Sequence, residues 1–424
     1  MNLLDRRGYY NYKGPGTNLC GNQLGQQFWQ TVLRDEEAKR TLWRRDNKLP
    51  SIHVDTEKKV ITSLVRNSKI LPVRDTNVVL SKQGRGMNWA MGYHGTARNP
   101  STALVEQTLE TMRREIERCD CFCGSVIMHS LSGGTGSGFG SRLCEGIRDA
   151  YPMAYLLDIS VAPHSHGESP LQHYNNLMCL SWMQKFADGV ILFHNDEVLH
   201  QLQGMNVTKA TRDAANVNIQ MMNGYISNSL AGLLCPISSN MTTSGISCGT
   251  EAWELLRSVA PMPVYKFLHV NHITKSKSTW ESMASNLIQN TARYNADGKP
   301  LSALSSLVAV RGDTSNSFAG SLQVVEKKLR GAFNYVKWNP FPIDFWIGNR
   351  QGILSKDSSS MTTCMNTTHI TDFMQRVTDR ARAMYEAKAF LHWYHRYNCE
   401  EPDFEEAFST LAEVVQDYRE AGVG

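Results

Sequence analysis

Apolar positions along this chain change period several times, and the changes outline its elements. Ser125-Val-Ile-Met-His-Ser130, Tyr155-Leu-Leu-Asp-Ile-Ser-Val161 and Gly189-Val-Ile-Leu-Phe193 are short runs of buried-strand length. Stretches 138–150 and 174–186 lie between and beside them with helical length. Strands separated by helices of this size imply βαβ units, and so a parallel sheet covered on both faces. From about Asn216 to Leu234, the residues Ile219, Met222, Ile226, Leu230 and Leu233 recur at three- and four-residue steps, and Pro236 stops the pattern. That long helix is suited to brace two domains.

Beyond it the pattern predicts a helix over 251–259, a strand over 264–270, a helix over 279–293 and a strand over 304–310. This is a second α/β unit. From Thr371 onward the chain reads as helical, with Phe404, Phe408, Leu411 and Val415 on one stripe that packs on the body. The expected division is 1–205 for a first α/β domain, 206–235 for the linking helix, 236–370 for an intermediate α/β domain and 371–424 for a helical C-terminal region.

Composition changes this picture little. A chain of 424 residues suits two or three domains, and 41% apolar with 20% charged residues is ordinary for a globular protein. No apolar run is long enough to cross a bilayer and no signal-peptide pattern opens the chain, so a cytosolic protein without membrane insertion is expected. The formal charge of +4 is too small to point to nucleic acid. Ten cysteines lack paired spacing and read as buried thiols; Cys119, Cys121 and Cys123 have no second ligand pair at a finger-like spacing.

The chemistry concentrates in Ser132-Gly-Gly-Thr-Gly-Ser-Gly138, between a strand and a helix. Four glycines let backbone N–H groups converge on an anion without Cβ obstruction, and the following helix adds its dipole. Thr135 and Ser137 offer hydroxyl donors to phosphate. The lysine-bearing phosphate loop is absent, since Gly298-Lys299 runs into Pro300, and the dinucleotide spacing is absent too.

This segment resembles the glycine motif of the tubulin family. Cys20-Gly-Asn-Gln-Leu-Gly25, Val54-Asp-Thr-Glu57, Gly84-Arg-Gly-Met-Asn-Trp-Ala90, Asn366-Thr-Thr-His-Ile370 and Ala389-Phe-Leu-His-Trp-Tyr394 resemble further tubulin segments, in the family's order. Gln172-His-Tyr-Asn175, His194-Asn-Asp-Glu197 and the ending from Asp403 to Tyr418, without an acidic tail, are most like the delta type; epsilon and alpha types are the alternatives. The resemblance implies a Rossmann-like, mostly parallel nucleotide-binding sheet, a long core helix, a second α/β domain and C-terminal helices.

It also implies roles. Cys20, Gly86, Asn88, Gly133, Gly134, Thr135, Gly136, Ser137 and Gly138 would surround the GTP or GDP phosphates. Glu168 and Gln172 would lie by the ribose, and Asn195 and Asn218 would read guanine, with Asn216 and Asn223 as competitors for the second place. Asp55 and Glu57 would hold magnesium, chiefly through water. Leu19 and Met87 stand where the family has Gln and Asn, and Ala214 where it has an aromatic stacking residue. Glu254, with Glu251 as companion, matches the acid that a neighbouring subunit contributes to hydrolysis in trans. The implied partners are other tubulins in head-to-tail contact. The implied place is the cytoplasm and cytoskeleton, at microtubules of centrioles, basal bodies, cilia and flagella. A non-hydrolysing structural adaptor with a weakened site is the other functional class.

Two departures complete the reading. Asp5-Arg-Arg-Gly-Tyr-Tyr-Asn-Tyr-Lys-Gly-Pro-Gly16 shows no strand alternation, so the stretch before Cys20 reads as a different exon or a misplaced start and leaves the sheet without a central strand. His272 to Thr279, with Lys275 and Lys277, lies where the family places a lateral-contact loop.

Overall fold

The computed structural model describes residues 7–11, 21–35, 38, 46, 48–56, 72–81, 83–119, 121–165, 169–206, 217–237, 241–242, 253–260, 262–312, 318–349 and 358–423. Among these, β1 (Arg7–Asn11), β2 (Ser51–Asp55), β3 (Val78–Leu80), β6 (Gly124–Ser130), β7 (Tyr155–Ala162) and β8 (Gly189–His194) form one parallel set in the order β3-β2-β1-β6-β7-β8. The minor strands β4 (Gly95–Thr96) and β5 (Asn99–Pro100) make a separate hairpin. β6 to β8 are buried almost throughout, which is why they read as apolar runs rather than as alternating ones.

The expected gap at the N-terminus is corrected. Arg7–Asn11 pairs in parallel with both β2 and β6, and so fills the place between them. Backbone ladders on two sides supply what the side-chain pattern does not announce.

Helices cover this sheet: α1 (Gly21–Val32), α2 (Trp89–His94), α3 (Ser101–Ile116), α4 (Gly140–Ala150), α5 (Gln172–Phe186), α6 (Asn195–Asn206) and α7 (Ile219–Leu234). α4, α5 and α7 follow the helical stretches read from the sequence, whereas α1, α2, α3 and α6 were not among them; α7 packs along α1. The sheet then continues through β10 (Phe267–Ser276) into a mixed second half in the order β8-β10-β14-β11-β13-β9, with β9 at Met241–Thr242, β11 at Ser302–Gly312, β13 at Ile343–Asn349 and β14 at Ser358–Thr367; β12 (Asn334–Tyr335) pairs with β11. Here α8 (Glu254–Val259), α9 (Trp280–Asn290) and α10 (Phe318–Ala332) supply the cover.

β10 is a second correction. The strand begins at Phe267 and runs to Ser276, so His272 to Ser276 is strand rather than loop. Its outer half pairs with β14, from His269↔Met365 to Ser276↔Ser358, where serine and threonine recur on the partner. Hydroxyl-rich pairs carry no apolar periodicity, so a reading based on apolar period stops too early.

Of the C-terminal helices α11 (Ile370–Glu386), α12 (Leu391–His395) and α13 (Glu401–Val423), α12 lies against α2, and α11 and α13 pack on α5. The predicted stripe of Phe404, Phe408, Leu411 and Val415 is buried in that contact. Tyr418 continues it inward: its hydroxyl accepts from Phe267 N at 3.1 Å and donates to Asn366 Oδ1 at 3.0 Å, tying α13 to β10 and β14. Among the cysteines, Cys144, Cys179, Cys235, Cys364 and Cys399 are buried as expected. Cys121 is exposed, with its Sγ 3.6 Å from that of Cys123.

His53 on β2 makes the fold sensitive to acid. It is buried, bonded to Ser51 Oγ at 3.0 Å and Asn22 Oδ1 at 3.2 Å, and burial lowers its pKa from 6.5 to about 4. As pH falls, the unfolded chain takes up this proton first. The contribution is therefore intact above the unfolded pKa and is lost toward the folded one. Between pH 7 and pH 5 this group alone is expected to cost about 2 kcal/mol. Urea titrations at the two pH values should show that His53→Gln removes that share of the difference.

Candidate nucleotide-binding site

Because β1, β2, β3, β6, β7 and β8 run the same way, their carboxyl ends share one edge, where open α/β sheets hold ligands. Asp55 ends β2, Gly86 and Asn88 follow β3, and the glycine segment follows β6. Gln172 opens the helix after β7, and Asn195 comes directly after β8. These predicted residues gather at the edge. Cys20, Glu57 and Glu168 lie outside the described residues, as do Leu19, Ala214, Asn216 and Glu251.

Glu254 lies elsewhere. It opens α8, whose Leu256 packs against Gly189 at the start of β8 and whose preceding Trp253 stacks on Tyr155 at the start of β7. That is the amino-terminal edge, opposite the glycine segment.

The glycine segment forms a wide π-type turn, Gly134–Phe139, leading into α4, and is buried throughout. Its glycines answer a need different from the one the sequence suggested. A Cβ on Gly134 would lie 2.3 Å from Arg85 O, one on Gly136 2.7 Å from Ser130 O, and one on Gly138 2.1 Å from Trp89 O. Three of the four glycines are thus fixed by backbone packing, against the loop after β3, β6 and α2 in turn. Gly92 of α2 meets them from the other side, where a Cβ would lie 1.9 Å from Gly134 O. N–H groups of a helix's first turn still lack intrahelical acceptors, which leaves this turn the capacity to receive an anion. The two hydroxyls are engaged within the protein: Ser137 Oγ donates to Gly133 O at 2.5 Å, and Thr135 Oγ1 is 2.7 Å from Thr56 Oγ1.

Asn175 holds the edge together. Its Nδ2 donates to Ser132 O at 2.6 Å and Met87 O at 2.8 Å, while Oδ1 accepts from Trp89 N at 2.8 Å and from the Tyr394 hydroxyl at 2.7 Å. One buried amide therefore joins the glycine segment, the loop after β3 and α12 with its full bonding capacity. Asn175 closes the Gln172-to-Asn175 motif, but its partners are too far along the chain for local pattern to reveal.

The loop after β3 is shaped by two left-handed residues, Gly86 at φ +53° and Met87 at φ +54°. Methionine at such a φ stores strain of about 1 kcal/mol, whereas asparagine accepts it readily. Met87→Asn is expected to stabilise the protein by about 0.5–1 kcal/mol in urea denaturation, because the carbonyl bonded to Asn175 stays in place. Asn88 caps α2, its Oδ1 accepting from Met91 N at 3.0 Å, and its Nδ2 donates to Trp393 O at 3.1 Å. Its side chain is engaged in holding the loop to α12.

Two predicted residues keep buried acceptors open. Gln172 is 4% exposed and donates from Nε2 to His164 O at 3.3 Å, but its Oε1 has no partner among the described residues. Asn195, 5% exposed, likewise has an unpartnered Oδ1. An unmet buried acceptor costs about 1–3 kcal/mol, so both fit a ligand that brings donors. Asn218 is different: it caps α7 from an exposed position, accepting from Met221 N at 2.9 Å. One turn further on, Asn223 is buried with its Oδ1 unpartnered among the described residues.

Asp55 is fully buried. Its Oδ1 accepts from Thr56 N at 2.7 Å, and its Oδ2 from Asn22 Nδ2 at 3.2 Å. Among the described residues no group of three or more His, Cys, Asp and Glu side chains is placed to hold a metal ion. No helix among them is long and apolar enough to cross a membrane.

This fold and this edge define an open α/β protein whose ligand groups converge at the carboxyl ends of parallel strands. Residues 19–203 match the Tubulin/FtsZ family, GTPase domain. Along 95% of its length the chain is similar to beta-tubulins. It is 26% identical to the tubulin beta-1 chain of Chondrus crispus over 92% of that protein. The tubulin beta chain of Trichophyton rubrum is 26% identical over 93% of its length, and the tubulin beta-3 chain of Echinococcus multilocularis 25% over 95%. The domain match over residues 19–203 and the end-to-end likeness to beta-tubulins together support the tubulin superfamily for this chain.

Proposed function

We propose that this chain is a guanine-nucleotide-binding tubulin of the delta type, serving the microtubules of centrioles and basal bodies in cilia and flagella. The observation that carries the nucleotide reading is the pair of open buried acceptors, Gln172 Oε1 and Asn195 Oδ1, at the edge that also bears the glycine turn. Guanine presents N–H donors on its pairing edge and ribose presents hydroxyls, which is the chemistry these two oxygens lack. On this reading the phosphates rest on the first turn of the glycine segment, and residues 1–205 form the nucleotide domain.

The neutral Gln172 supports the delta assignment. Its amide donates to His164 O, which a carboxylate in the same place would not do. Asp55, with Glu57, would hold a phosphate-bound magnesium through water, and the ion would offset phosphate charge. Head-to-tail assembly is supported by polarity: Glu254 lies at the edge opposite the glycine turn, so a heterologous stack of subunits would bring it to a neighbour's phosphates. A second reading, a structural adaptor that does not hydrolyse nucleotide, is favoured by the engagement of Asn88, Thr135 and Ser137 within the protein.

Mass spectrometry of small molecules released from natively purified protein tests the proposal. A guanosine di- or triphosphate near one per chain is expected. An adenine nucleotide, or an empty protein that takes up no added GTP, would refute it.

A further inference from the structure

Arg85 lies in the loop after β3, within the Gly84-to-Ala90 motif, and none of the roles above uses it. Its side chain is fully buried. Nη1 donates to Asn99 O at 3.1 Å, whereas Nε and Nη2 have no partner among the described residues. Those two nitrogens form the edge with which a guanidinium grips two oxygens of one phosphate or carboxylate. Burial pushes the guanidinium pKa down. A buried cation without a counter-charge costs several kcal/mol, which makes such an arrangement costly unless an anion completes it.

Its backbone lies beside the candidate phosphate turn. The Arg85 carbonyl accepts from Asn88 N at 3.2 Å and is also the atom that Gly134 packs against. The residue is therefore part of the loop that lies directly on the first turn of the glycine segment. Asn99, which holds Nη1, is itself bonded to Ser81 Oγ at 2.8 Å, and Ser81 N donates to Asp55 O at 2.9 Å. The guanidinium is thus fixed through Asn99 to the carboxyl ends of β2 and β3.

We propose that Arg85 binds the terminal phosphate of a nucleoside triphosphate in its own subunit, and so gives the site a preference for triphosphate over diphosphate. The Nε–Nη2 edge donates two parallel hydrogen bonds to the terminal phosphoryl oxygens, and the Asn99 anchor sets the plane of the guanidinium. This rests on the nucleotide reading above.

The test uses the full chain. GTP, GDP and inorganic phosphate are titrated against wild type, Arg85→Gln and Arg85→Lys, and melting is recorded with and without each nucleotide. Wild type is expected to bind GTP more tightly than GDP. Arg85→Gln is expected to weaken GTP by about 10- to 100-fold, the worth of a charged hydrogen-bond pair, while GDP stays within about threefold. Arg85→Lys should fall between. Without nucleotide, Arg85→Gln should melt no lower than wild type, and with GTP it should lose the extra stabilisation that GTP gives over GDP.

Equal weakening of both nucleotides, or no change in GTP binding, would overturn the Arg85 assignment and leave the nucleotide reading standing. A variant that melts far below wild type without nucleotide would mean a structural partner, and would overturn it as well. So would saturable phosphate binding that Arg85→Gln abolishes while GTP affinity is untouched. A wild type that binds neither nucleotide would remove the underlying reading and this assignment with it.

Discussion

Asn175→Ala is expected to lower stability by about 3–5 kcal/mol and to loosen three separate segments at once. The amide serves Ser132 O, Met87 O, Trp89 N and the Tyr394 hydroxyl, all in the interior at the carboxyl edge of the sheet. Alanine leaves each of these without that partner, and a buried unmet group costs about 1–3 kcal/mol. Partial relaxation keeps the total below the plain sum. Asn175→Asp should do no better: it keeps the two acceptor bonds but sets a carboxylate against two carbonyl oxygens. The change is read by urea denaturation and by amide hydrogen exchange, which should accelerate over 85–92 and 132–139 together. Acceleration in one segment alone would show that the amide does not couple them.

Gly92→Ala should be of similar size, about 3 kcal/mol or more, and arises from overlap rather than loss. The new methyl would lie 1.9 Å from Gly134 O and 2.9 Å from Gly138 Cα, both backbone atoms of a buried turn that has no room to retreat. The informative control is Gly224→Ala in α7, where nothing lies within 4 Å of the added carbon. There the helix interior should gain about 0.5–1 kcal/mol. The two substitutions are chemically identical and should have opposite signs. Equal small effects would mean that α2 and the glycine turn do not touch as described.

Arg85, Asn175 and Gly92 show where local pattern ends. Strands β6 to β8 were legible because burial on both faces leaves nearly uninterrupted apolar runs, and α7 because its apolar face repeats. The position of the glycine segment was legible because it follows a strand directly, whereas Gln172 and Asn195 were named only from the tubulin resemblance. What sets the site's geometry was not legible. Asn175 acts on Ser132 across 43 residues and on Tyr394 across 219, and no window of sequence contains both ends. Gly92 matters only because another backbone comes within reach of its missing side chain. Strand β1 carries no alternation, and its neighbours on both sides make the strand. The hydroxyl-rich outer half of β10 escaped for a related reason: its partner, not its apolar period, defines it.

Asn218 and Asn223 add a lesson about chemistry. Motif position favoured Asn218, yet it is the exposed cap of α7, while Asn223 one turn later has the buried open acceptor. Substituting each separately tests whether either senses base identity.

Everything functional here depends on guanosine phosphates settling against Gly134–Phe139 with Gln172 and Asn195 beside them. Hydrogen exchange with added GTP, and separately with ATP, measures this most directly. GTP should slow exchange over 132–139, 172–176 and the start of α6, and ATP should leave them unchanged. Equal protection by both nucleotides, or GTP binding that leaves these segments exchanging as before, would contradict the account.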